Sequence, residues 1–170
     1  RSELKLLDLS NSGVDVECAS VLCNALQNDN SLAALVLDDN MIGDEGTKVI
    51  GNLLARNKKI AHISMHSNQI GNDGARWLAQ AFEKNRSVAY IGLQLNSIDS
   101  TGARYLAKGI LQNTILKGLS LMGNNIDKDA AGLIIEASMM LDDVLLDLDI
   151  LYRPPRDKSI SNAELEQLTW

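Results

Sequence analysis

The chain has 170 residues, of which 45% are hydrophobic and 22% charged, a composition that is ordinary for a globular protein and unlike that of a disordered chain. The formal net charge of −6 argues against a nucleic-acid partner. No apolar run approaches the ~20 residues of a membrane span, so we do not expect a membrane protein. Only 4% of the residues are aromatic, which suggests a repeated core of Leu, Ile and Ala.

The two cysteines, Cys18 and Cys23, lie in one predicted helical stretch. Their spacing of five residues places the Cα atoms about 8 Å apart, which is too far for a disulfide. We therefore predict two free thiols. Free thiols favour a reducing compartment, and we expect a cytoplasmic location.

A 28-residue period runs through the chain, and each period starts with the pattern apolar-x-x-apolar-x-apolar. The starts fall at Leu4, Leu32, Ile60, Val88, Leu116 and Leu145. The last start is degenerate and slipped by one residue, with Leu148 and Ile150 completing its apolar set. Within each start the period is two, which is typical of a strand with one buried face.

Two further columns keep the same period. A polar residue follows each start: Ser12, Asn40, Asn68, Asn96 and Asn124. A branched aliphatic residue lies two positions later: Val14, Ile42, Ile70, Ile98 and Ile126. We interpret the asparagines as structural, because a buried side-chain amide can both donate to and accept from the backbone of adjacent turns.

On these columns the chain resembles the leucine-rich repeat family, in its ribonuclease-inhibitor-like subtype with 28-residue repeats. The resemblance covers roughly residues 4–151 and implies an α/β fold. That fold is a solenoid shaped as a horseshoe arc, with short parallel strands on the concave side and helices on the convex side. Because one repeat cannot bury its own apolar face, stacked repeats share a continuous core.

After each strand the apolar period becomes helical. In the third repeat one helix face carries Ala75, Leu78, Ala81 and Phe82. Three polar residues are predicted to cap the helices that they precede: Asp44, Asn72 and Ser100. Three asparagines recur at helix ends, where we expect a left-handed conformation: Asn57, Asn85 and Asn113. Three glycines at the helix starts indicate close packing: Gly46, Gly74 and Gly102.

The two ends of the solenoid differ. Nothing before Leu4 could cover the first repeat, so we expect further repeats or domains in a longer parent chain, or a partner at this end. At the other end Pro154 and Pro155 interrupt the pattern. We assign residues 1–151 to the solenoid and residues 152–170 to a C-terminal capping segment with a short helix. A recruitment tail is the alternative for this segment.

The chain shows no motif of a catalytic, phosphate-binding or metal-binding site. His62 and His66 are about 13 Å apart along one strand, so they cannot share a metal ion. We predict that the protein is not an enzyme and that it has no cofactor. The middle of the chain is basic, and its cations are expected on the convex helices, as a solvated face or as a stripe for an acidic partner.

We predict a protein–protein interaction module that binds a protein partner, of unknown identity, through the concave face. Three alternatives remain: the sensing region of an NLR-type receptor, a GTPase-activating-type repeat domain, and a host-directed bacterial effector. The strand residues that point away from the core are chemically mixed, and Tyr90 is the best single anchor among them. The predicted binding residues are Asp8, Val36, Asp38, His62, Ser64, His66, Tyr90, Gln94 and Met122.

Overall fold

Each repeat folds into one short strand followed by one helix. The computed structural model describes residues 4–141 and 145–148, and in these ranges six strands alternate with five helices. The strands are β1 (Leu6–Asp8), β2 (Ala34–Val36), β3 (His62–Ser64), β4 (Tyr90–Gly92), β5 (Gly118–Ser120) and β6 (Leu145–Asp147). The helices are α1 (Val16–Leu26), α2 (Gly43–Leu54), α3 (Asn72–Lys84), α4 (Ser100–Leu111) and α5 (Lys128–Ser138). The predicted capping segment, residues 152–170, lies outside the described residues.

The six strands form one parallel sheet in chain order. Leu7 pairs with Leu35, and Leu35 pairs with Ile63, so the sheet register keeps the 28-residue period of the sequence. Parallel neighbours require a crossover connection, and here each crossover contains a helix that packs on the helices of adjacent repeats. The chain therefore has the predicted parallel α/β repeat fold. The horseshoe curvature stays a prediction.

The register of β6 differs from the prediction. Leu119 pairs with Leu146, 27 residues further on. Leu146 and Leu148 pack against the core, whereas Leu145 is on the opposite face of the sheet and is 36% exposed. The expectation that Leu145 points inward is therefore wrong, and Ile150 lies outside the described residues. Closely spaced leucines fit a period of two in more than one register, so the pattern alone could not choose between them.

The core lies between the sheet and the helices. The middle residues of β2 and β3, Leu35 and Ile63, are completely buried. In α3 the predicted inward face is confirmed, since Leu78 and Phe82 are also completely buried. Fully burying such a side chain contributes about 1.5–3 kcal/mol. The buried cluster is continuous from the first repeat to the fifth, so each repeat is stabilised mainly by its neighbours.

A buried or half-buried asparagine in each of the second to fifth repeats ties adjacent turns together, as predicted. The Asn68 Nδ2 donates to the carbonyls of Leu37 and His66, both at 2.8 Å, and its Oδ1 accepts from the N–H of Ile42 at 3.4 Å. Leu37 and Ile42 belong to the preceding repeat. Similar bonds to a preceding repeat are made by Asn40, Asn96 and Asn124.

A second asparagine ladder runs along the edge where the helices end, and here the prediction was wrong. Asn57, Asn85 and Asn113 do not have the positive φ of a left-handed conformation. Asn85, for example, has a φ of −69° and a ψ of 140°. Its Nδ2 donates to the carbonyl of Leu54 in the preceding repeat at 2.6 Å, and its Oδ1 accepts from the N–H of Val88 at 2.7 Å. These asparagines therefore connect repeats rather than reverse the chain.

Asp44 and Asn72 cap the helix of the following repeat rather than their own helix, which corrects the predicted capping. The Asp44 Oδ1 accepts from the N–H groups of Gly71 and Gly74 at the start of α3, at 2.6 and 2.9 Å. Asn72 makes the same pair of bonds at the start of α4, both at 3.0 Å, and Ser100 Oγ accepts one N–H just before α5. All three residues lie inside the first turn of their own helices. An N-cap must instead lie just outside its helix.

Glycine at the third residue of α3 makes room for this cap. A Cβ atom at Gly74 would lie 2.7 Å from the Asp44 Oδ1. At α5 the glycine is replaced by Ala130, and Asp127 caps its own helix by accepting from the Ala130 N–H at 2.8 Å. The predicted close packing is confirmed, since an added Cβ would come within 3.0 Å of a neighbouring side chain at Gly46, Gly74 and Gly102.

The two cysteines are free thiols, as predicted. Cys18 is exposed and Cys23 is buried, and burial raises the pKa of the Cys23 thiol to about 11. Cys23 thus packs as a small apolar side chain. Within the described ranges, no helix is both long and apolar enough to cross a membrane.

Asn68→Ala should lower the free energy of unfolding by about 1–3 kcal/mol, because its buried backbone partners lose their hydrogen bonds. The matched control is Asn52→Ala, which removes an exposed amide on α2 and should change stability by less than about 0.5 kcal/mol. Urea unfolding followed by circular dichroism measures both. Equal stability of the two variants would contradict the structural role of Asn68.

Asp44→Ala should destabilise the chain by about 0.5–2 kcal/mol, because α3 loses its cap. Asp44→Asn is the control, since Asn72 makes the same contact with an amide at α4, and it should retain most of the stability. Hydrogen exchange should locate the effect of Asp44→Ala at the first turn of α3. Faster exchange at α2 alone would support the original prediction that Asp44 caps its own helix.

Candidate functional site

The face of the sheet opposite the helices is built from alternate strand residues. Period-two alternation directs the first and third residue of each strand away from the core. The pairing aligns them in a first row, Leu6, Ala34, His62, Tyr90, Gly118 and Leu145, and a second row, Asp8, Val36, Ser64, Gly92, Ser120 and Asp147. The residues two positions after each strand extend these rows: Ser10, Asp38, His66, Gln94 and Met122. We call the three rows together the open sheet face.

All nine predicted binding residues lie on the open sheet face, and none of them is fully buried. The exposed ones are Asp8, His62 and Met122. The half-buried ones are Val36, Asp38, Ser64, His66, Tyr90 and Gln94. Most of the open sheet face is therefore accessible. The exception is β5, where Gly118 and Ser120 are buried.

Some polar residues of this face already have hydrogen-bond partners within the chain. The Asp38 Oδ1 accepts from the Ser64 hydroxyl at 2.6 Å and from the His66 N–H at 2.8 Å. Hydrogen bonds from Ser10 lower the pKa of Asp8, which therefore carries a negative charge at neutral pH. Asp38 and Ser64 therefore also have a structural role, because their hydrogen bond joins two repeats to each other.

His62 and Tyr90 are direct neighbours in the first row. They are paired residues of β3 and β4, and their ring centroids are 6.1 Å apart with an interplanar angle of 31°. Tyr90 is flanked by Gly118 on its other side, in β5. A tyrosine between an imidazole and a glycine offers a broad ring edge and a polar tip to a partner.

Gln94 has a buried acceptor with no hydrogen-bond partner among the described residues. Its Oε1 lies close to β4, where a Cβ atom at Gly92 would be only 2.8 Å away. Glycine at position 92 thus lets the Gln94 side chain fold over the strand. A buried carbonyl oxygen without a donor costs about 1–3 kcal/mol.

Leu95, which follows Gln94 at the edge of the open sheet face, is not among the residues predicted from the sequence. Its column consists of residues with positive φ: Asn11, Asp39, Ser67, Leu95 and Gly123. Leu95 has a φ of 50°, a conformation that favours Gly, Asn and Asp and is costly for leucine. Its side chain is nevertheless 58% exposed. The signal was present in the sequence as one apolar residue in a column of polar residues and glycine.

The Leu95 side chain lies against the next repeat. A Cβ atom at Gly123 would collide with the Leu95 side chain, so glycine is required beneath it. Met122, the residue before Gly123, is 43% exposed. The Leu95 N–H donates to the carbonyl of Met122 at 2.7 Å, so these two exposed apolar residues are neighbours at the end of the sheet, next to Gln94.

The chemistry of the face is that of a binding surface. Within the described ranges, no group of three His, Cys, Asp or Glu side chains is arranged to hold a metal ion. His62 and His66 are separated by Ser64, which is bonded to Asp38. What the face offers is aromatic and apolar area with a few fixed hydrogen-bonding groups.

No family model matches the chain, and no curated protein matches it. Among solved structures the chain is similar to the actin-binding site 2 of leiomodin-1, with a TM-score of 0.71 and 16% identity over 86% of this chain and 84% of that chain. It is also similar to the C-terminal domain of tropomodulin from Caenorhabditis elegans, with a TM-score of 0.71 and 15% identity over 91% of each chain. At these identities the likeness shows the fold, which is a parallel α/β repeat of the leucine-rich-repeat type.

Proposed function

We propose that the chain is a non-catalytic protein-binding module and that its partner contacts the open sheet face of the third to fifth repeats. The centre of the proposed site is Tyr90, with His62 beside it in β3 and with Gln94, Leu95 and Met122 beyond the ends of β4 and β5. The partner is a protein surface that supplies an apolar side chain to Leu95 and Met122. The proposed site therefore occupies only the C-terminal half of the concave face that the sequence analysis assigned to the partner.

The main support for the proposal is that Leu95 is both exposed and in a left-handed backbone conformation. A left-handed conformation costs a residue with a Cβ about 1–2 kcal/mol, and a leucine that is 58% exposed gains only part of the stabilisation that full burial would give. Asn or Gly at this position would fit the turn without strain, as Asn11 and Gly123 do in the same column. Strain that the fold does not need is typical of sites that act on a partner.

The surrounding residues support a protein partner rather than a small molecule. Tyrosine and methionine are enriched in protein interfaces. The six strands, spaced ~4.8 Å apart, offer a face about 25 Å wide, which suits an interface of ~800 Å² per side.

Actin is the first partner to test, because the leiomodin-1 structure to which the fold is similar is an actin-binding site. The likeness covers 86% of this chain. We also propose that the repeats belong to the ribonuclease-inhibitor-like subtype, on the basis of their 28-residue register, and that the protein works in the cytoplasm, on the basis of its two free thiols.

Tyr90→Ala should weaken binding to actin by about 1–3 kcal/mol, or roughly 5- to 150-fold in Kd, since Tyr90 is the aromatic anchor of the site. Gln80→Ala, on the exposed side of α3, is the control and should leave the Kd unchanged. Titration of labelled actin with each variant measures the Kd. Failure of the unaltered chain to bind actin would exclude this partner, whereas loss of binding from Gln80→Ala alone would place the interface on the helices.

Leu95→Asn should have opposite effects on stability and on binding. Asparagine tolerates the left-handed turn, so the free energy of unfolding should rise by about 1 kcal/mol. Partner binding should weaken, since the apolar contact is lost. Val21→Asn, which replaces a 72% exposed side chain on α1, should produce neither effect. A Leu95→Asn protein that binds as tightly as the unaltered chain would contradict the assignment of Leu95 to the interface.

A further inference from the structure

The charges of the chain are separated between its two rims. One rim is the edge at which strands end and helices begin, and it is acidic: Asp8, Asp15, Asp38, Asp44, Asp99 and Asp127. The other rim is the edge at which helices end and the next strands begin. In the second and third repeats it carries one exposed carboxylate, Glu83, and five cations: Arg56, Lys58, Lys59, Lys84 and Arg86. We call these five residues the basic rim.

The acidic residues are used within the fold. Asp15, Asp99 and Asp127 accept hydrogen bonds as helix caps, and these bonds help to lower the pKa of each carboxyl group. Asp44 caps the following helix, and Asp38 joins two repeats. Local structure therefore accounts for the acidic rim without a partner.

The fold explains the basic rim only in part, since the C-terminal ends of helices favour cations. All five side chains are exposed. The ion pairs resolved in the described part of the chain involve other cations, Lys48 and Arg76. The Arg86 guanidinium donates to the carbonyls of Glu83 and Asn85 at 3.1 and 2.8 Å, so these partners at the end of α3 are carbonyls and not carboxylates.

Hydrogen bonds between successive loops hold the basic rim together. The Asn85 Nδ2 donates to the carbonyl of Asn57 at 3.4 Å, and the Ser87 hydroxyl donates to the same carbonyl at 3.3 Å. Lys58 and Arg86 follow these two asparagines directly and occupy equivalent positions on adjoining loops. Packed helices are about 8–10 Å apart, which is close to the Debye length at physiological salt. The cations therefore repel one another in the free protein.

We infer that the basic rim is a second docking surface, separate from the open sheet face, and that its occupant is an acidic segment of a partner protein. Charge complementarity commits the site to carboxylates, and exposed Leu111 in the next repeat adds an apolar contact. Nucleic acid fits less well. The loops at residues 55–61 and 83–89 contain no aromatic side chain on which bases could stack.

The test uses the full chain and a fluorescein-labelled peptide of consecutive glutamates that ends in leucine. Fluorescence anisotropy at low salt gives the Kd, and a peptide with glutamine in place of glutamate is the probe control. The test variant is Lys58→Glu combined with Arg86→Glu. The matched control is Arg104→Glu combined with Lys128→Glu, which makes the same change in net charge outside the basic rim. Circular dichroism verifies that each variant is folded, and Lys58→Gln with Arg86→Gln is used if the charge reversal prevents folding.

We expect the test variant to bind the glutamate peptide at least about tenfold more weakly, a difference of about 1.4 kcal/mol. The control pair and Tyr90→Ala should bind it within about twofold of the unaltered chain. Added salt should weaken the interaction. Equal losses in the two charge-reversed variants, or no binding of the peptide by the unaltered chain, would overturn the proposal. Tighter binding of a duplex DNA oligonucleotide, or of vesicles containing phosphatidylserine, would also overturn it.

Discussion

The fold depends on hydrogen bonds that side-chain amides make from one repeat to the next. Each strand is only three residues long, so the sheet ladder ends after a few bonds and leaves backbone groups without partners at both ends. Asparagine side chains form hydrogen bonds with those groups at both edges of the sheet. The column that contains Asn68 does so at one edge, and the column that contains Asn85 does so at the other. The apolar core supplies most of the stabilisation, but the two amide ladders fix the spacing and register at which the core can form.

Most features that repeat with the 28-residue period could be predicted from the sequence. The strand starts, the inward helix face and the first asparagine column could be predicted because a 28-residue period shows the same environment five times. The errors fall where one residue type suits two structures. Asp44 suits a cap of its own helix as well as one of the next helix, and Asn85 suits a left-handed turn as well as an extended one. Only the relative placement of neighbouring repeats decides between these alternatives.

The candidate site was harder to predict, because its residues do not repeat. Composition and spacing indicated an accessible strand face, and its mixed columns pointed to Tyr90. They did not indicate that Ser64 is already bonded to Asp38. They also missed Leu95, whose significance depends on a backbone angle. A column of positive φ can be inferred from Asn11 and Gly123, but the strain at Leu95 becomes visible only when the turn itself is described.

The side chains that cap the helix of the following repeat affect how the chain can fold while it is being synthesised. Asp44 is in place before α3 exists, and Asn72 is in place before α4 exists. The asparagine amides likewise reach back to carbonyl groups that are already fixed. The ribosome releases the chain from its amino end. Each emerging repeat therefore meets a preceding repeat that already contains the side chain that caps its helix and the carbonyl groups that accept from its asparagine. Growth in this direction supplies each new helix with its cap at once, whereas N–H groups of the newest repeat, such as that of Ile42, gain their acceptor only when the asparagine of the next repeat has been made.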